Sequence, residues 1–378
     1  MWHYQKQNLH RGFMTIATVE ARKHYLLRQK EQGHTLFGVF PAQYPKEILW
    51  AMNVVPAEIW DPPVEISAAN AHLQSYICSV VRMGMELVLQ GKCDFLDGFL
   101  FPHTCDSIQN LASVINDYMG PNVPCYFLYH PKAPYSRGVR TYYKAQLKDL
   151  VKRLEAQLGE LDPGRLKQAI ESSNRISQLS QQLYDRRAQG ILRGSCREFY
   201  EVLRKGEYLL PQDYIQLLEW YLHENSSDET EQKTPVILSG VLPNPLELLD
   251  KLDELGVRVA HDDLLVASRR LLSPKMDTSM DPFEVLTARY FSMPPCSTRG
   301  TSIQDRAKFI LDLVDKTGAK GVIFNIVKFC EPEWFDVPNL QTEFRKRGIP
   351  TLVLDTEINQ GLPGQMSTRL EAFVEMIQ

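Results

Sequence analysis

The sequence predicts an α/β protein made of two parallel-sheet domains with a helical block between them. Apolar runs of strand length alternate with segments of helical period near both ends of the chain. Between these two regions the helical period continues, and strand-like runs are almost missing. Strands that alternate with helices favour a parallel sheet covered by helices on both faces.

The first α/β domain is predicted over residues 35–140, after a helical arm over residues 1–34. Its strand-like runs are TLFGVF, VVPAEIW, DFLDGFLFPH and PCYFLYHP. Between the second and third of these runs, SAANAHLQSYICSVVRMGMELVLQG predicts one long helix, with Ser67 as its N-cap and Gly91 beyond its end.

The remainder of the chain divides into a helical segment over residues 141–232 and a second α/β domain over residues 233–378. A polar stretch, ENSSDETEQKT, marks the linker between them. The second domain repeats the layout of the first, with strand-like runs TPVILSGVL, VRVAHDD, KGVIFNIVKF and IPTLVLDTE. This repetition predicts two Rossmann/flavodoxin-like domains, in which ligands bind at the carboxyl ends of the strands.

Composition excludes several classes of partner. The 378 residues are 44% hydrophobic and 23% charged, with a formal net charge of −4. This charge provides no long-range attraction for nucleic acid or an anionic membrane. No apolar run approaches the roughly 20 residues that span a bilayer, and the polar N-terminus lacks the apolar core of a secretory signal. We therefore expect a cytoplasmic protein.

Seven cysteines, an odd number without any CxxC pair, argue against a disulfide framework, a zinc ribbon or a ferredoxin-type run. Cys105 and Cys330 each follow a predicted strand and precede a helix, at corresponding positions of the two domains. A helix N-terminus stabilises a thiolate, and Cys78 needs only to point toward the same place from the adjacent predicted long helix to add a third sulfur. The alternative is that these cysteines are small buried hydrophobic residues, and the residues alone leave both interpretations open.

Two histidines are candidate proton donors near the same strand ends. His103 lies two residues before Cys105, and His261 belongs to the segment AHDD, residues 260–263. A hydrogen-bonded structural histidine is the alternative for His103. The carboxylates that follow His261 either line the cleft or cap the next helix.

A glycine-flanked segment, GLPGQMSTRLEAF, precedes the last predicted helix. Gly364, Gln365 and Thr368 at this helix start are candidates for binding an anion such as a CoA phosphate, and an ordinary capped helix is the alternative. Neither a GxxxxGK[ST] nor a GxGxxG motif is present. We therefore expect any ATP-coupled supply of electrons to come from another polypeptide.

Four segments carry a resemblance to a known family. QSYICSVVRMGMELVLQGKCDFLDGFLFPHTCDSIQNL, GVFPAQYPKEILWAMNVVPAEIW, VILSGVLPNPLELLDKLDELGVRVAHDDL and GIPTLVLDTEINQGLPGQMSTRLEAFVEMI are similar to the 2-hydroxyacyl-CoA dehydratase and benzoyl-CoA reductase family. The resemblance covers nearly the whole chain from about Thr35. It implies a [4Fe-4S] cluster held by three cysteines, which map to Cys78, Cys105 and Cys330.

Ligation by three cysteines leaves one iron without a protein thiolate, and an open coordination position favours a catalytic role. A double-cubane cluster, found in a relative of the family, needs paired cysteines that this sequence lacks. Cys296 is the one spare cysteine that could approach the cleft, as a fourth ligand or a neighbour of the cluster. We expect Cys93, Cys125 and Cys196 to serve packing.

The resemblance implies three candidate functions. The chain looks most like the smaller cluster-binding subunit of ATP-dependent benzoyl-CoA reductase, an enzyme that reduces an aromatic acyl-CoA thioester by one-electron steps. A 2-hydroxyacyl-CoA dehydratase subunit, which acts through a ketyl radical, and a non-catalytic electron-transfer subunit are the alternatives. In each case the expected partners are a homologous cluster-binding subunit and an ATP-hydrolysing iron-sulfur activator.

Overall fold

The computed structural model describes residues 19–40, 43–60 and 64–378. Its strands form two four-stranded sheets in which every pairing is parallel. The sheet orders are β2-β1-β3-β4 and β6-β5-β7-β8, so the two sheets share one topology. The predicted α/β architecture of two parallel-sheet halves is confirmed. The strands are β1 Thr35–Val39, β2 Val54–Glu58, β3 Gly98–Pro102, β4 Cys125–Leu128, β5 Thr234–Gly240, β6 Val257–Leu264, β7 Val322–Val327 and β8 Thr351–Thr356.

Helices surround both sheets and fill the middle of the chain. Within the described ranges, no helix is long and apolar enough to cross a membrane. The helices are α1 Val19–Glu31, α2 Lys46–Ala51, α3 Ser79–Leu89, α4 Asp106–Ser113, α5 Val139–Leu158, α6 Pro163–Gln189, α7 Cys196–Arg204, α8 Pro211–Asn225, α9 Leu246–Glu254, α10 Ser268–Leu271, α11 Pro282–Ser292, α12 Ile303–Thr317, α13 Glu331–Lys346 and α14 Gly364–Ile377.

The helical middle, α5 to α8, packs against both halves. Leu183 and Tyr184 of α6 share one apolar core with residues of both sheets. On the other face of the first sheet, α5 and the first part of α6 pack with α11, which comes from the second α/β stretch of the sequence. The domain boundary at residue 232 stays a prediction. Helix α11 lies after that boundary in the sequence but packs on the first half.

The predicted long helix over residues 67–91 is wrong in its first half. Only a short 3₁₀ turn, Ala68–Ala71, and a loop precede α3, which begins after Cys78. The buried Glu86 explains the break, because its carboxylate accepts hydrogen bonds from the backbone N–H groups of Ser67 and Ala69 at 3.0 and 2.9 Å. The Glu86 side chain, which belongs to α3, therefore holds the segment around Ser67 and Ala69 in a turn that does not continue into α3.

Candidate metal centre

Cys105 and Cys330 occupy equivalent places in the two halves. Each is the N-cap residue of the helix that follows the third strand in sequence, β3 for Cys105 and β7 for Cys330. In each sheet the third strand lies next to the first, and the second strand lies on the other side of the first. The strand order therefore reverses between the first and third strands, and folds of this class bind ligands at that point. The turn before Cys330 is sharp, because Phe329 has a φ of +62°, unusual for a residue other than glycine.

Cys78 is also an N-cap residue, at the start of α3. The neighbouring residues attach this helix start to the second half of the molecule. The backbone N–H of Ile358 donates to the Ser79 hydroxyl at 3.3 Å, and Arg82 forms an ion pair with Glu357 at 3.1 Å. The start of α3 therefore lies at the carboxyl end of β8, close to the Cys330 side of the site.

The three thiols lie within electrostatic range of one another. Burial raises the pKa of Cys78 to about 12, and the proximity of Cys105 adds to this rise. Burial also raises the pKa of Cys330, and both other cysteines contribute to that increase. A site that brings three thiols together disfavours their ionisation unless a cation compensates for the charge.

Backbone dipoles favour negative charge at each sulfur. No sulfur accepts a capping hydrogen bond, yet nearby N–H groups in the first turn of each helix oppose the rise in the thiol pKa. These groups lie two or three residues after each cysteine, as is usual for donors that face an N-cap side chain. They belong to Val80 and Val81 for Cys78, Ser107 and Ile108 for Cys105, and Glu333 for Cys330.

The three thiols are the type of ligand that an iron–sulfur cluster requires. Among the described residues, no three side chains of His, Cys, Asp or Glu converge closely enough to hold one metal ion. All three cysteines are free of disulfides, so their sulfurs are available as ligands. Thiolates are the ligands that iron–sulfur clusters prefer. The donor set and its dipoles therefore match the ligands implied by the resemblance.

His103 lies beside this centre with an unused ring nitrogen. Its Nε2 atom is buried, has no hydrogen-bond partner and lies 4.0 Å from Asp106. The ring packs on Tyr129, with 5.6 Å between centroids. Burial and the neighbouring Lys132 lower the pKa of His103, and the Lys132 ammonium donates to the Thr104 carbonyl at 3.0 Å. The first half thus presents the His103 imidazole and the Lys132 side chain next to Cys105.

The described contacts of His261 do not reach the three cysteines. This residue is buried within β6, and its ring packs on Tyr184 with 4.6 Å between centroids. Of the two interpretations for the carboxylates after it, the structure favours capping for Asp262, which accepts from the backbone N–H of Ser268 at the start of α10. The catalytic role of His261 stays a prediction from the sequence.

The helix start at Gly364 is exposed and free of a side-chain cap. Gly364 and Gln365 are exposed, and the Thr368 hydroxyl turns back to donate to the Gly364 carbonyl at 3.2 Å. This segment follows β8, the same strand whose end contacts Ser79 and Arg82. The N-terminus of α14 therefore lies near the same edge of the second sheet as Cys330.

A buried ionic network that sequence analysis missed supports the start of α13. Glu333, in the first turn after Cys330, accepts from Arg269 at 2.6 Å and from Arg306 at 3.1 Å. Arg269 also pairs with both oxygens of Asp263, at 2.5 and 2.7 Å, and all four side chains are at most 1% exposed. Burial alone would raise the pKa of Glu333, but the two arginines hold it at about 2.

The next residue, Arg270, reaches into the other half. Its guanidinium binds Glu58, at the end of β2, with 2.5 Å between Nη1 and Oε2. Lys46, Tyr44 and Trp60 also donate to this carboxylate, which is completely buried. Burial alone would raise the pKa of Glu58, but Arg270 and Lys46 hold it at about 2. Glu58 and Asp263 therefore lie near the ends of equivalent strands and bind adjacent arginines.

The hydrogen bonds of Cys296 and Cys196 go to residues other than the three thiols. Cys296 is buried, with its sulfur 3.1 Å from the Thr298 hydroxyl and 3.5 Å from Arg269. Cys196 is buried next to Arg187, at 3.0 Å, and Cys93 and Cys125 are partly buried. Cys296 thus adjoins the ionic network, and a role for it as a fourth ligand stays a prediction.

Fold and site together define a class of protein: a duplicated parallel α/β chain in which cysteines of both halves begin helices at the carboxyl ends of strands or close to them. Within this class, residues 41–377 match the family described as 2-hydroxyglutaryl-CoA dehydratase, D-component. The chain belongs to this family, and the resemblance that its motifs indicate is confirmed.

Curated relatives of known name span almost the full chain. The beta subunit of (R)-phenyllactyl-CoA dehydratase from Clostridium sporogenes is 26% identical, over 95% of this chain and 96% of its own length. A subunit of benzoyl-CoA reductase from Thauera aromatica is 26% identical, over 93% of each chain. The beta subunit of (R)-2-hydroxyglutaryl-CoA dehydratase from Acidaminococcus fermentans is 24% identical, over 94% of this chain and 96% of its own. Family membership therefore supports a role as part of an enzyme.

Proposed function

We propose that this chain is an iron–sulfur subunit of an enzyme that transforms acyl-CoA thioesters, with a [4Fe-4S] cluster held by Cys78, Cys105 and Cys330. The observation that carries the proposal is the placement of Cys78, Cys105 and Cys330 as the N-cap residues of three helices, with the other two thiols both contributing to the raised pKa of Cys330. Two of these helices belong to the first half and one to the second. Cluster binding would therefore join the halves as well as create a reactive centre.

When bound, the cluster would supply low-potential electrons one at a time and one iron without a protein thiolate. The chain's own contribution is to hold the three thiolates and to offset their charge with the dipoles of α3, α4 and α13. Burial of Cys78 and partial burial of the other two exclude bulk water, which would otherwise compete for the open position.

Two side chains of the first half would act on the substrate. His103 has a free Nε2 atom beside Cys105, from which it could hydrogen-bond the thioester oxygen or deliver a proton. Lys132, attached to the Thr104 carbonyl, adds positive charge to the same edge. The exposed start of α14, with Gly364 and Gln365, is our candidate for a CoA phosphate.

A dehydratase is the first candidate for the reaction, because two of the three relatives described above are 2-hydroxyacyl-CoA dehydratase subunits. The benzoyl-CoA reductase role predicted from the sequence motifs is the second candidate. It is supported by 26% identity to one chain of that enzyme over 93% of this chain. Both reactions would use the same three thiols and the same histidine, so the assay must separate them.

We expect this subunit to work in a hetero-oligomer. The relatives are named as single subunits of larger enzymes. Large aromatic side chains are exposed around the candidate centre, and their apolar area favours coverage by a partner. They are Tyr76 at 61%, Phe329 at 37% and Phe335 at 73% exposed. The proposed partners are a homologous cluster-binding subunit and an ATP-hydrolysing iron–sulfur activator.

The test is anaerobic purification of the chain with the proteins that co-purify with it, followed by native mass spectrometry and iron and sulfide analysis. We expect equal amounts of iron and sulfide, and an electron paramagnetic resonance signal that an acyl-CoA changes more than free CoA does. Assays with a 2-hydroxyacyl-CoA and with benzoyl-CoA, each with ATP and a strong reductant, then separate dehydration from reduction. A complex without iron would overturn the proposal.

A further inference from the structure

Two adjacent arginines connect the halves through buried carboxylates. Arg269 binds Asp263 and Glu333 in the second half, and Arg270 binds Glu58 in the first half. Both belong to α10, a four-residue helix directly after β6. Cys78 and Cys105 lie in the first half, whereas Cys330 lies in the second, so the geometry of the three thiols depends on how the halves are held together.

Two hydrogen bonds connect Arg269 to Cys330 through Glu333. Arg269 donates to Glu333 at 2.6 Å, and the Glu333 backbone N–H donates to the Cys330 carbonyl at 3.1 Å. The Ser297 hydroxyl donates to the same carboxylate oxygen as Arg269, at 2.8 Å. With Arg306 on its other oxygen, Glu333 is held by three donors, and its position sets the first turn of the helix that carries Cys330.

Arg270 is connected to the first half through the carboxylate of Glu58. Arg270 and Lys46 bind opposite oxygens of Glu58, at 2.5 and 2.7 Å. Breaking a buried ion pair by removing one partner leaves an uncompensated charge, which makes such pairs rigid and costly to disturb. Each arginine is therefore anchored in a different half, although the two are neighbours in sequence.

We propose that Arg269 and Arg270 form the positioning pair of the metal centre, with Glu333 as the carboxylate that sets both the placement of Cys330 and the local charge. This inference rests on the proposed function. Glu333 is a positioning residue and touches no substrate. Its negative charge next to a cluster thiolate would disfavour reduction, because an added electron increases the negative charge at the centre.

The experiment compares Glu333→Gln with Glu47→Gln in the purified complex. Glu47 is an equally buried carboxylate in α2, paired with Arg289 and Ser173, and none of its described contacts reaches a cysteine. We expect Glu333→Gln to shift the reduction potential of the cluster to a more positive value and to change its electron paramagnetic resonance signal. The control should lose a similar amount of stability without either change.

A milder variant covers the case in which Glu333→Gln does not fold. Ser297→Ala removes one hydrogen bond to Glu333 and leaves every charge in place. We therefore expect a smaller shift in potential, in the negative direction, because the carboxylate loses a donor that disperses its charge.

Glu58→Gln should speed the loss of iron to a chelator severalfold, with little change in the reduction potential. Wild-type protein without iron would refute the proposed function. Loaded protein in which Ser297→Ala and Glu333→Gln both behave like Glu47→Gln would overturn the positioning role alone.

Discussion

The two halves of this molecule share one topology, and their second strands, β2 and β6, both end near a buried carboxylate bound by an arginine, but the segments after their later strands differ in chemistry. In the first half, β3 and β4 are followed by His103, Tyr129, His130 and Lys132, which are neutral or basic groups with few partners. In the second half, the first turn of the helix after β7 carries Glu333, which shares an almost completely buried ionic network with Asp263 near the end of β6. We call the residues that follow β3 and β4 the adaptable edge, and the buried network of Asp263 and Glu333 the fixed edge.

This difference indicates a division of labour across the candidate centre. A group with unused hydrogen-bonding capacity can interact with a substrate, whereas a carboxylate that accepts from three donors can only hold its surroundings in place. The first half would then supply reactive groups together with Cys78 and Cys105. The second half would supply Cys330 on a rigid support. Changes in the two halves should therefore have different consequences, the largest of them at the thiols.

Replacing a cysteine of either half should remove the cluster. We expect Cys105→Ser and Cys330→Ser each to lose most of the iron measured after anaerobic purification, because a hydroxyl is a poor ligand for iron in such clusters. Cys196→Ser is the matched control, since its buried thiol contacts Arg187 and should leave the iron content intact. Equal loss in all three variants would rule out the ligand assignment.

The fixed edge should be much more sensitive to truncation than the adaptable one. Asp263→Ala leaves Arg269 with one carboxylate partner fewer in a buried site, which should reduce the free energy of unfolding by about 3–5 kcal/mol. His103→Ala removes a half-buried side chain whose Nε2 atom has no hydrogen bond, and should cost about 1 kcal/mol or less. Urea unfolding of both variants under the same anaerobic conditions measures the difference. Similar losses in the two variants would remove the contrast between the edges.

Acid should destabilise the first half through His130. Burial lowers the pKa of His130 to about 3, helped by Lys132 and His103, while its Nδ1 atom bonds the Tyr290 hydroxyl at 2.9 Å. The ordinary value is near 6.5. The unfolded chain therefore binds a proton that the folded chain does not, and stability falls as the pH drops from 6.5 towards 3.

At about pH 4.5 this histidine should account for roughly 2–3 kcal/mol of lost stability relative to about pH 7. Urea unfolding at several pH values should show a shallower decline for His130→Gln, which retains a polar group for Tyr290. Replacement of the exposed His223 serves as the histidine control. An unchanged slope in His130→Gln would mean that this side chain is not buried in its neutral form.

Local sequence patterns predict the strands, most helices and the placement of Cys105 and Cys330, because each depends on neighbouring residues. The start of α3 at Cys78 was not predictable, since a helical period runs through Ser67 to Gly91 and the break depends on a contact with Glu86. Arg269 and Arg270 stand in the apolar stretch LLVASRRLL, which signals buried charges that need partners. Asp263, a partner of Arg269, is only six residues away, but Glu333 and Glu58 lie 64 residues from Arg269 and 212 residues from Arg270, beyond the reach of any local pattern.

The smallest expected effect concerns ion pairs on the surface of the second half. Lys308 and Asp312 form an i,i+4 pair on α12, with side chains 75% and 60% exposed. Solvent and salt screen such a pair, so a double-mutant cycle with Lys308→Ala and Asp312→Ala should give a coupling energy below about 0.5 kcal/mol. The buried pair between Arg269 and Asp263 also joins a cation to a carboxylate but excludes water, and its loss should cost several times more. A surface coupling as large as the buried effect would show that the rigidity of this half does not depend on burial of its network.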